Sequence, residues 1–124
     1  MTLVLSRSDG PALLTLPDCI AAVEQAFALH ADGKTLGPGV LGVHGPGGGF
    51  HVKAAGLVGA RRYFAAKTNA NFPESPKVFG RPTIQSTVVL FDARHGERLA
   101  VMDSGGVTAL RTGAATAVAA KLDA

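Results

Sequence analysis

The 124-residue sequence has a single cysteine, a single tyrosine and no tryptophan, and only 17% of its residues are charged. The lone Cys19 cannot form an internal disulfide, which favours a reducing compartment. The basic residues form no run longer than Arg61–Arg62 and aromatic rings are few, so a nucleic-acid surface is not expected. No apolar run approaches the about 20 residues that span a bilayer, and the N-terminus lacks a secretion-signal pattern. These absences favour a cytoplasmic protein that binds neither nucleic acid nor a membrane.

Metal-ligand and nucleophile motifs are missing as well. His44, His51 and His95 have no metal-ligand spacing with a cysteine or carboxylate partner, so we predict no metal site. No Gly-x-Ser-x-Gly elbow occurs. The sequence does contain 47% hydrophobic residues, enough for one core, and its 16 glycines and seven prolines indicate many turns. We therefore predict a single domain over residues 1–124.

Helical periodicity is clearest near the two ends of the chain. A helix is predicted over residues 17–32, because Pro17 suits a first turn, Gly33 supplies a stop, and apolar residues recur at helical spacing at Ile20, Val23 and Phe27. A second helix is predicted over residues 105–121, capped by Asp103 or Ser104. Its apolar face would contain Val107, Leu110, Ala114 and Val118.

Strand patterns fill the region between the helices. We predict strands at residues 3–5, 40–44, 50–54, 63–70, 83–91 and 98–102. The run Thr87–Phe91 is continuously apolar after its threonine, which is typical of a central strand covered on both faces. The predicted fold is α/β of the α+β type, with a mixed, largely antiparallel sheet and flanking helices.

A glycine motif at the start of the predicted hairpin, formed by the strands at residues 40–44 and 50–54, has the spacing of a dinucleotide-binding fingerprint. Gly37–Gly42 matches G-x-G-x-x-G, but a fingerprint follows a strand and opens a helix. No strand is predicted before it, and the proline and glycines after it cannot sustain a helix. We therefore expect no binding of NAD(H) by these 124 residues alone.

Four segments occur in a specific order, although each is a weak motif by itself: Ala66–Pro73, Gly80–Gln85, Met102–Ser104 and Thr108–Ala114. The ordered set resembles the N-terminal part of the ornithine cyclodeaminase/mu-crystallin family, NAD(P)-dependent enzymes that act on amino acids and cyclic imines. In that family the last helix leads into a Rossmann strand and its glycine turn, whereas this sequence ends at Ala124. The resemblance implies the substrate-binding and dimerisation part of an enzyme, without its NAD(P)-binding Rossmann domain.

The resemblance also implies residue roles. Lys67 is expected to be catalytic and to bind substrate, because an ammonium attracts a carboxylate and stabilises charge as an imine forms. Arg111 is expected to bind the substrate carboxylate beside the nicotinamide, through two parallel donors. Thr83 and Thr112 are expected to contact the cofactor, and Lys53 lies in a substrate-proximal segment that varies between subfamilies. We also predict that Lys67 and Arg111 converge on one cleft.

One departure from the family leaves the substrate open. Many members carry a carboxylate-binding arginine on the strand before the glycine hairpin, but this sequence has no arginine between Arg7 and Arg61. Either Lys53 or His51 takes that role, or the substrate differs from ornithine. Three interpretations remain: part of a homodimeric NAD(P)-dependent amino-acid dehydrogenase, ketimine reductase or cyclodeaminase, a non-catalytic dimerisation or binding module, and an inactive truncated fragment. The first would be an oxidoreductase or lyase.

Overall fold

The computed structural model of the chain describes the backbone of residues 1–123 and the side chains of residues 1–10, 12–105, 107–108 and 111–120. Its strands are β1 (Leu3–Leu5), β2 (Thr35–Gly45), β3 (Gly48–Val58), β4 (Arg62–Asn71), β5 (Ile84–Asp92) and β6 (Arg98–Asp103). Its helices are α1 (Asp9–Leu13), α2 (Leu16–Ala31), α3 (Ser75–Phe79) and α4 (Gly105–Asp123).

The strands form one six-stranded sheet in the order β1-β6-β5-β4-β3-β2. Only the β1–β6 pair is parallel, and the other four pairs are antiparallel. The predicted fold class, a mixed and largely antiparallel sheet with flanking helices, is therefore confirmed. Sequential strands from β2 to β6 are neighbours, so most of the sheet is a simple meander.

The two long helices lie close to their predicted positions. Helix α2 covers Leu16–Ala31, and the hydroxyl of Thr15 accepts the N–H of Asp18 at 3.3 Å to cap it. At the start of α4, Asp103 Oδ1 accepts the N–H of Gly105 at 2.8 Å. The carbonyl of Ser104 accepts the N–H of Thr108 at the same distance. Both proposed capping residues thus take part.

Several local predictions need correction. Strands β2 and β3 extend well beyond the predicted 40–44 and 50–54, and the Gly37–Gly42 motif lies inside β2 itself. The short helices α1 and α3 were not predicted, because each contains a proline and only five residues. Thr83 lies just before β5 instead of within it. The turn after β5 is formed as predicted, and the N–H of Arg94 bonds the Asp92 carboxylate and lowers its pKa.

We define the lysine face as the sheet surface that carries Lys67 and its cross-strand neighbours. Helix α2 meets this face beside β3, where Ala26 and Phe27 line a cavity of about 340 Å³ with Ala55 and Leu57. At the other edge, Val107 of α4 lies against Leu5 and Met102 of the same face. Helices α2 and α4 also pack on each other, and Ala114 and Val118 of α4 are 0% and 2% exposed.

The opposite face of the sheet is apolar and poorly covered. Leu41, Val43 and Phe50 on this face are 59%, 53% and 45% exposed. The prediction that Thr87–Phe91 is covered on both faces was wrong: β5 lies inside the sheet, but Thr87 is exposed and the following residues are only half-buried. The helices reach parts of one face, so an interior position in the sheet does not bury β5.

Gly56 of β3 lies close to Tyr63 of β4 and Leu36 of β2, and a substitution there tests this packing. A Cβ added there would lie 2.7 Å from the carbonyl oxygen of Tyr63 and 3.1 Å from Leu36 Cδ1. Because a backbone atom cannot move aside easily, Gly56→Ala should lower the free energy of unfolding by about 1–3 kcal/mol. Urea denaturation followed by circular dichroism measures the change.

The matched control is Gly39→Ala in β2, where an added Cβ has no atom within 4 Å. We expect a change within about 0.5 kcal/mol for this variant. Equal destabilisation of the two variants would contradict the close approach described for Gly56.

Candidate active site

Two lysines stand side by side at the centre of the sheet. Lys67 of β4 is the direct cross-strand partner of Lys53 on β3, and Val88 of β5 is its partner on the other side. Direct partners in an antiparallel pair project from the same face, with Cβ atoms about 4.5–5.5 Å apart. Lys67 is half-buried and Lys53 is exposed. The structure therefore brings together two of the residues that the sequence assigned to substrate binding.

No acidic side chain neutralises this pair. Strands β3 and β4 contain no aspartate or glutamate. Among the side chains that the structure describes, none forms an ion pair with Lys53 or Lys67. Like charges placed directly opposite one another on two strands are destabilising. An anion that contacts both ammonium groups would remove this repulsion, so the pair is chemically suited to a carboxylate.

Polar groups surround the lysine pair on the side away from α2. His51 lies opposite Asn69, and Asn69 lies opposite Ser86, all on the lysine face. Asn71 continues this set, and its side-chain oxygen is buried without a hydrogen-bond partner in the described structure. The sequence pointed to His51 as a possible substrate ligand. It gave no role to Asn69, Asn71 or Ser86, although Asn69 and Asn71 lie in the family segment Ala66–Pro73.

Three predicted residues lie elsewhere. The carbonyl of Thr83 accepts the N–H of Phe72 at 2.8 Å, which fixes the chain just before β5. Arg111 and Thr112 lie in the second turn of α4, and both are exposed. Because β5 lies between β4 and β6, the strand of Lys67 does not pair directly with the strand that leads into α4. The convergence of Lys67 and Arg111 on one cleft stays a prediction.

A cavity of about 420 Å³ lies between the start of β5 and the start of α4, lined by Arg7, Pro82, Ile84, Gln85, Ser86, Asp103, Gly105 and Thr108. Pro82 precedes Thr83 in the chain. Thr108 shares a side of α4 with Arg111 and Thr112, which follow it by three and four positions. The cavity is therefore bordered by segments that carry predicted cofactor and substrate residues, although none of the five predicted residues lines it.

Ser104 fixes α4 against this cavity. The residue is 1% exposed, and its N–H donates to the carbonyl of Ser86 at 3.3 Å. The hydroxyls of Ser86 and Ser104 are also hydrogen-bonded to each other. These bonds hold the first turn of α4 on β5, so the position of Arg111 depends on them.

Two solved structures contain the fold of this chain in their N-terminal parts. The fold matches the N-terminal part of an archaeal alanine dehydrogenase dimer with bound NAD, with a TM-score of 0.87 and 35% identity over 97% of this chain and 36% of that one. It also matches the Thermococcus litoralis Δ1-pyrroline-2-carboxylate reductase in complex with NADH and L-proline, with a TM-score of 0.86 and 33% identity over 97% of this chain and 37% of that chain.

The sequence comparison gives the family. Residues 1–124 match the ornithine cyclodeaminase/mu-crystallin family, and the chain belongs to it. It is 35% identical over 120 residues to alanine dehydrogenase of Archaeoglobus fulgidus, which covers 97% of this chain and 36% of that protein. A reductase of Δ1-pyrroline-2-carboxylate and Δ1-piperideine-2-carboxylate from Azospirillum brasilense is 32% identical over 93% of this chain and 36% of its own length. The chain thus spans little more than a third of these relatives.

Two other kinds of feature are absent from the part of the chain that the structure describes. Among the described side chains, no group of three or more histidine, cysteine, aspartate or glutamate residues is arranged to hold a metal ion. In the same residues, no helix is long and apolar enough to cross a membrane.

The repulsion within the lysine pair can be measured. Lys53→Gln removes one of two adjacent positive charges, so the free energy of unfolding should rise by about 0.2–1 kcal/mol at low salt. The gain should shrink at high salt, because exposed charges are screened. Thermal denaturation at two salt concentrations gives both values. Lys77→Gln on α3 is the control and should show no such gain, whereas a salt-independent effect at Lys53 would contradict the pairing.

Proposed function

We propose that this chain is the substrate-binding and dimerisation part of an NAD(P)-dependent enzyme that oxidises an amino acid to an imine, or reduces an imine to an amino acid. The observation that carries the proposal is that Lys53 and Lys67 lie side by side on one face of the sheet. Neither forms an ion pair with a described side chain. Membership of the ornithine cyclodeaminase/mu-crystallin family supports it. Alanine dehydrogenase and pyrroline-2-carboxylate reductase among the relatives both name reactions of this kind.

In this proposal the chain's own residues bind and polarise the substrate. Lys67 is half-buried beside Lys53, so its ammonium can contact a carboxylate while a second positive charge lies next to it. Arg111 would add two parallel donors from α4. A nicotinamide cofactor would accept or donate the hydride. Oxidation followed by deamination or by ring closure, as in ornithine cyclodeaminase, is the lyase form of the same proposal.

Only the nicotinamide end of an NAD(P) cofactor has proposed contacts in this chain. Thr83, Arg111 and Thr112 are proposed to contact its nicotinamide end. The Gly37–Gly42 motif lies in strand β2 and opens no helix, so it offers no helix N-terminus to a pyrophosphate. The absence of NAD(H) binding by residues 1–124 alone therefore stays a prediction, as does the cytoplasmic location that the lone Cys19 favours.

A homodimer is proposed from the opposite face of the sheet. Leu41, Val43 and Phe50 are exposed there, and Val52 is the direct partner of Leu41. Their neighbours on β4, Thr68 and Ala70, carry no charge. Contiguous apolar surface of this kind marks an interaction site. A second copy is the partner we propose, because the similar alanine dehydrogenase structure is described as a dimer. A non-catalytic dimerisation module would use the same surface.

Activity can be tested in a chimera in which residues 1–124 replace the matching part of the Archaeoglobus fulgidus alanine dehydrogenase. We expect NAD(H)-dependent turnover of an amino acid or imine. Arg111→Ala should lower kcat/KM by an amount equivalent to about 2–5 kcal/mol of activation free energy, the range for breaking a desolvated charge pair. Steady-state kinetics measures this loss.

Arg81→Ala is the control for that experiment, since Arg81 is an exposed arginine in the loop before β5. Its kinetics should match those of the unsubstituted chimera. Equal losses at the two positions, or unchanged kinetics in Arg111→Ala, would remove Arg111 from the proposed site.

Self-association tests the dimer separately. Leu41→Lys places a charge in the exposed apolar face, so the dissociation constant of the dimer should rise at least about tenfold, the equivalent of 1.4 kcal/mol. Sedimentation velocity over a concentration series measures it. Val78→Lys on α3 changes an equally exposed apolar residue, 63% against 59%, away from the sheet and should have no effect. A monomeric unsubstituted chain would contradict the proposed interface.

A further inference from the structure

Three arginines line a cavity at the end of the sheet where β4 begins and β5 ends. The cavity has a volume of about 340 Å³ and lies at the other end of β5 from the cavity that Ser86 lines. The sequence gave no role to Arg61–Arg62, its longest basic run, and folding adds Arg94 from a distant part of the chain. The residues that line the cavity are Gly59, Ala60, Arg61, Arg62, Asp92, Arg94 and His95.

Backbone hydrogen bonds hold the two turns of this cavity next to each other. The N–H of Gly96 donates to the carbonyl of Asp92 at 2.8 Å and closes the β5–β6 turn. The N–H of Ala93 donates to the carbonyl of Arg62 at 2.9 Å and joins this turn to the start of β4. Tyr63 of β4 is also the direct cross-strand partner of Asp92. These contacts fix the positions of the two turns relative to each other.

The positive charges of the three guanidinium groups exceed the negative charge of the cavity by two. Among the described residues that line it, Asp92 alone carries a carboxylate. Asp92 Oδ1 accepts the N–H of Arg94 at 2.7 Å and the N–H of His95 at 3.3 Å, and the bond from Arg94 is the main cause of the lowered pKa of Asp92. The carboxylate is therefore engaged by the backbone of its own turn. No described side chain forms an ion pair with Arg61, Arg62 or Arg94.

One of the guanidinium groups is already oriented. Nη1 of Arg61 donates to the hydroxyl of Tyr63 at 3.0 Å. A guanidinium has five N–H donors, so the others remain available to a ligand. A side chain that is held in place before binding loses less conformational freedom when the ligand binds.

We propose that this cavity binds a phosphoryl group, either as inorganic phosphate or as the phosphate monoester of a small molecule. A phosphate monoester carries a charge of about −1.5 to −2 at pH 7 and three acceptor oxygens, which match the charge excess and the guanidinium donors. Arginine binds phosphate oxygens through two parallel N–H bonds. A single carboxylate would leave part of the positive charge unpaired. A volume of about 340 Å³ lies in the range of small-molecule pockets.

The proposed phosphate site is separate from the lysine pair. Neither Lys53 nor Lys67 lines this cavity. Its occupation therefore requires no turnover and does not depend on the proposed function.

Binding to the 124-residue chain tests the proposal. The chain is titrated with glycerol 3-phosphate, inorganic phosphate, acetate and glycerol at constant ionic strength, while amide NMR shifts are recorded. We expect saturable shifts at Gly59, Ala60 and Gly96 with both phosphates, much weaker binding of acetate, and no binding of glycerol. Equal affinities of the two phosphates would show that the phosphoryl group supplies the recognition. Tighter binding of the ester would show that its carbon chain also contacts the cavity.

Charge variants separate binding from folding. Arg61→Gln and Arg94→Gln should each weaken phosphate binding at least about tenfold, as expected for the loss of a charge-assisted hydrogen bond. Arg94→Gln keeps the backbone N–H that donates to Asp92, so the turn should be retained. Asp92→Asn keeps an acceptor for that N–H and removes the negative charge, so it should tighten phosphate binding. The matched control Arg81→Gln changes an exposed arginine outside the cavity and should have no effect.

Three results would overturn the proposal: no saturable binding in the millimolar range, acetate binding as tightly as the phosphates, or an equal loss in Arg81→Gln. A single-stranded oligonucleotide that binds far more tightly than glycerol 3-phosphate would also overturn it, because the arginines would then belong to a nucleic-acid surface. If Lys53→Gln and Lys67→Gln abolish phosphate binding while Arg94→Gln does not, the phosphate binds at the lysine pair. The arginine site would then be wrong.

Discussion

The antiparallel register of β3, β4 and β5 is the constraint on which the candidate site depends. The ladder between β3 and β4 runs from Gly49–Asn71 to Val58–Arg62 without a shift, and the β4–β5 ladder is equally regular. Side chains alternate between the faces of a strand, so a slip of one residue in β4 would move Lys67 to the opposite face. The apolar residues of that face disfavour such a slip. The position of Lys67 beside Lys53 therefore depends on this register.

The lysine pair has a stability cost that a bound anion would offset. Two ammonium groups on adjacent strands repel each other, and β3 and β4 supply no carboxylate between them. Functional sites are where such local conflicts are expected, because a charge already paired within the protein is less available to a substrate.

The sheet face opposite Lys67 leaves large apolar side chains exposed. Ala100, Ala114 and Val118 are the buried apolar residues of the described chain, whereas large side chains on the opposite face remain exposed. Burial of apolar surface contributes about 25 cal/mol per Å², so an uncovered sheet face forgoes much of its possible stabilisation. The chain spans 36% of the length of the Archaeoglobus fulgidus relative.

The sequence alone determined the elements whose signals are local. Helix α2 and the strands β4 to β6 followed from periodicity, because apolar spacing and caps act within a few residues. Helices α1 and α3 were missed, since five residues give too little periodicity to detect. The family resemblance predicted site roles for Lys67 and Lys53, but only the β3–β4 register makes them neighbours. Arg7 carried no sequence signal, and the parallel β1–β6 pairing brings its segment to the cavity that Asp103 also lines. Contacts between distant segments decide such positions, and no local pattern encodes them.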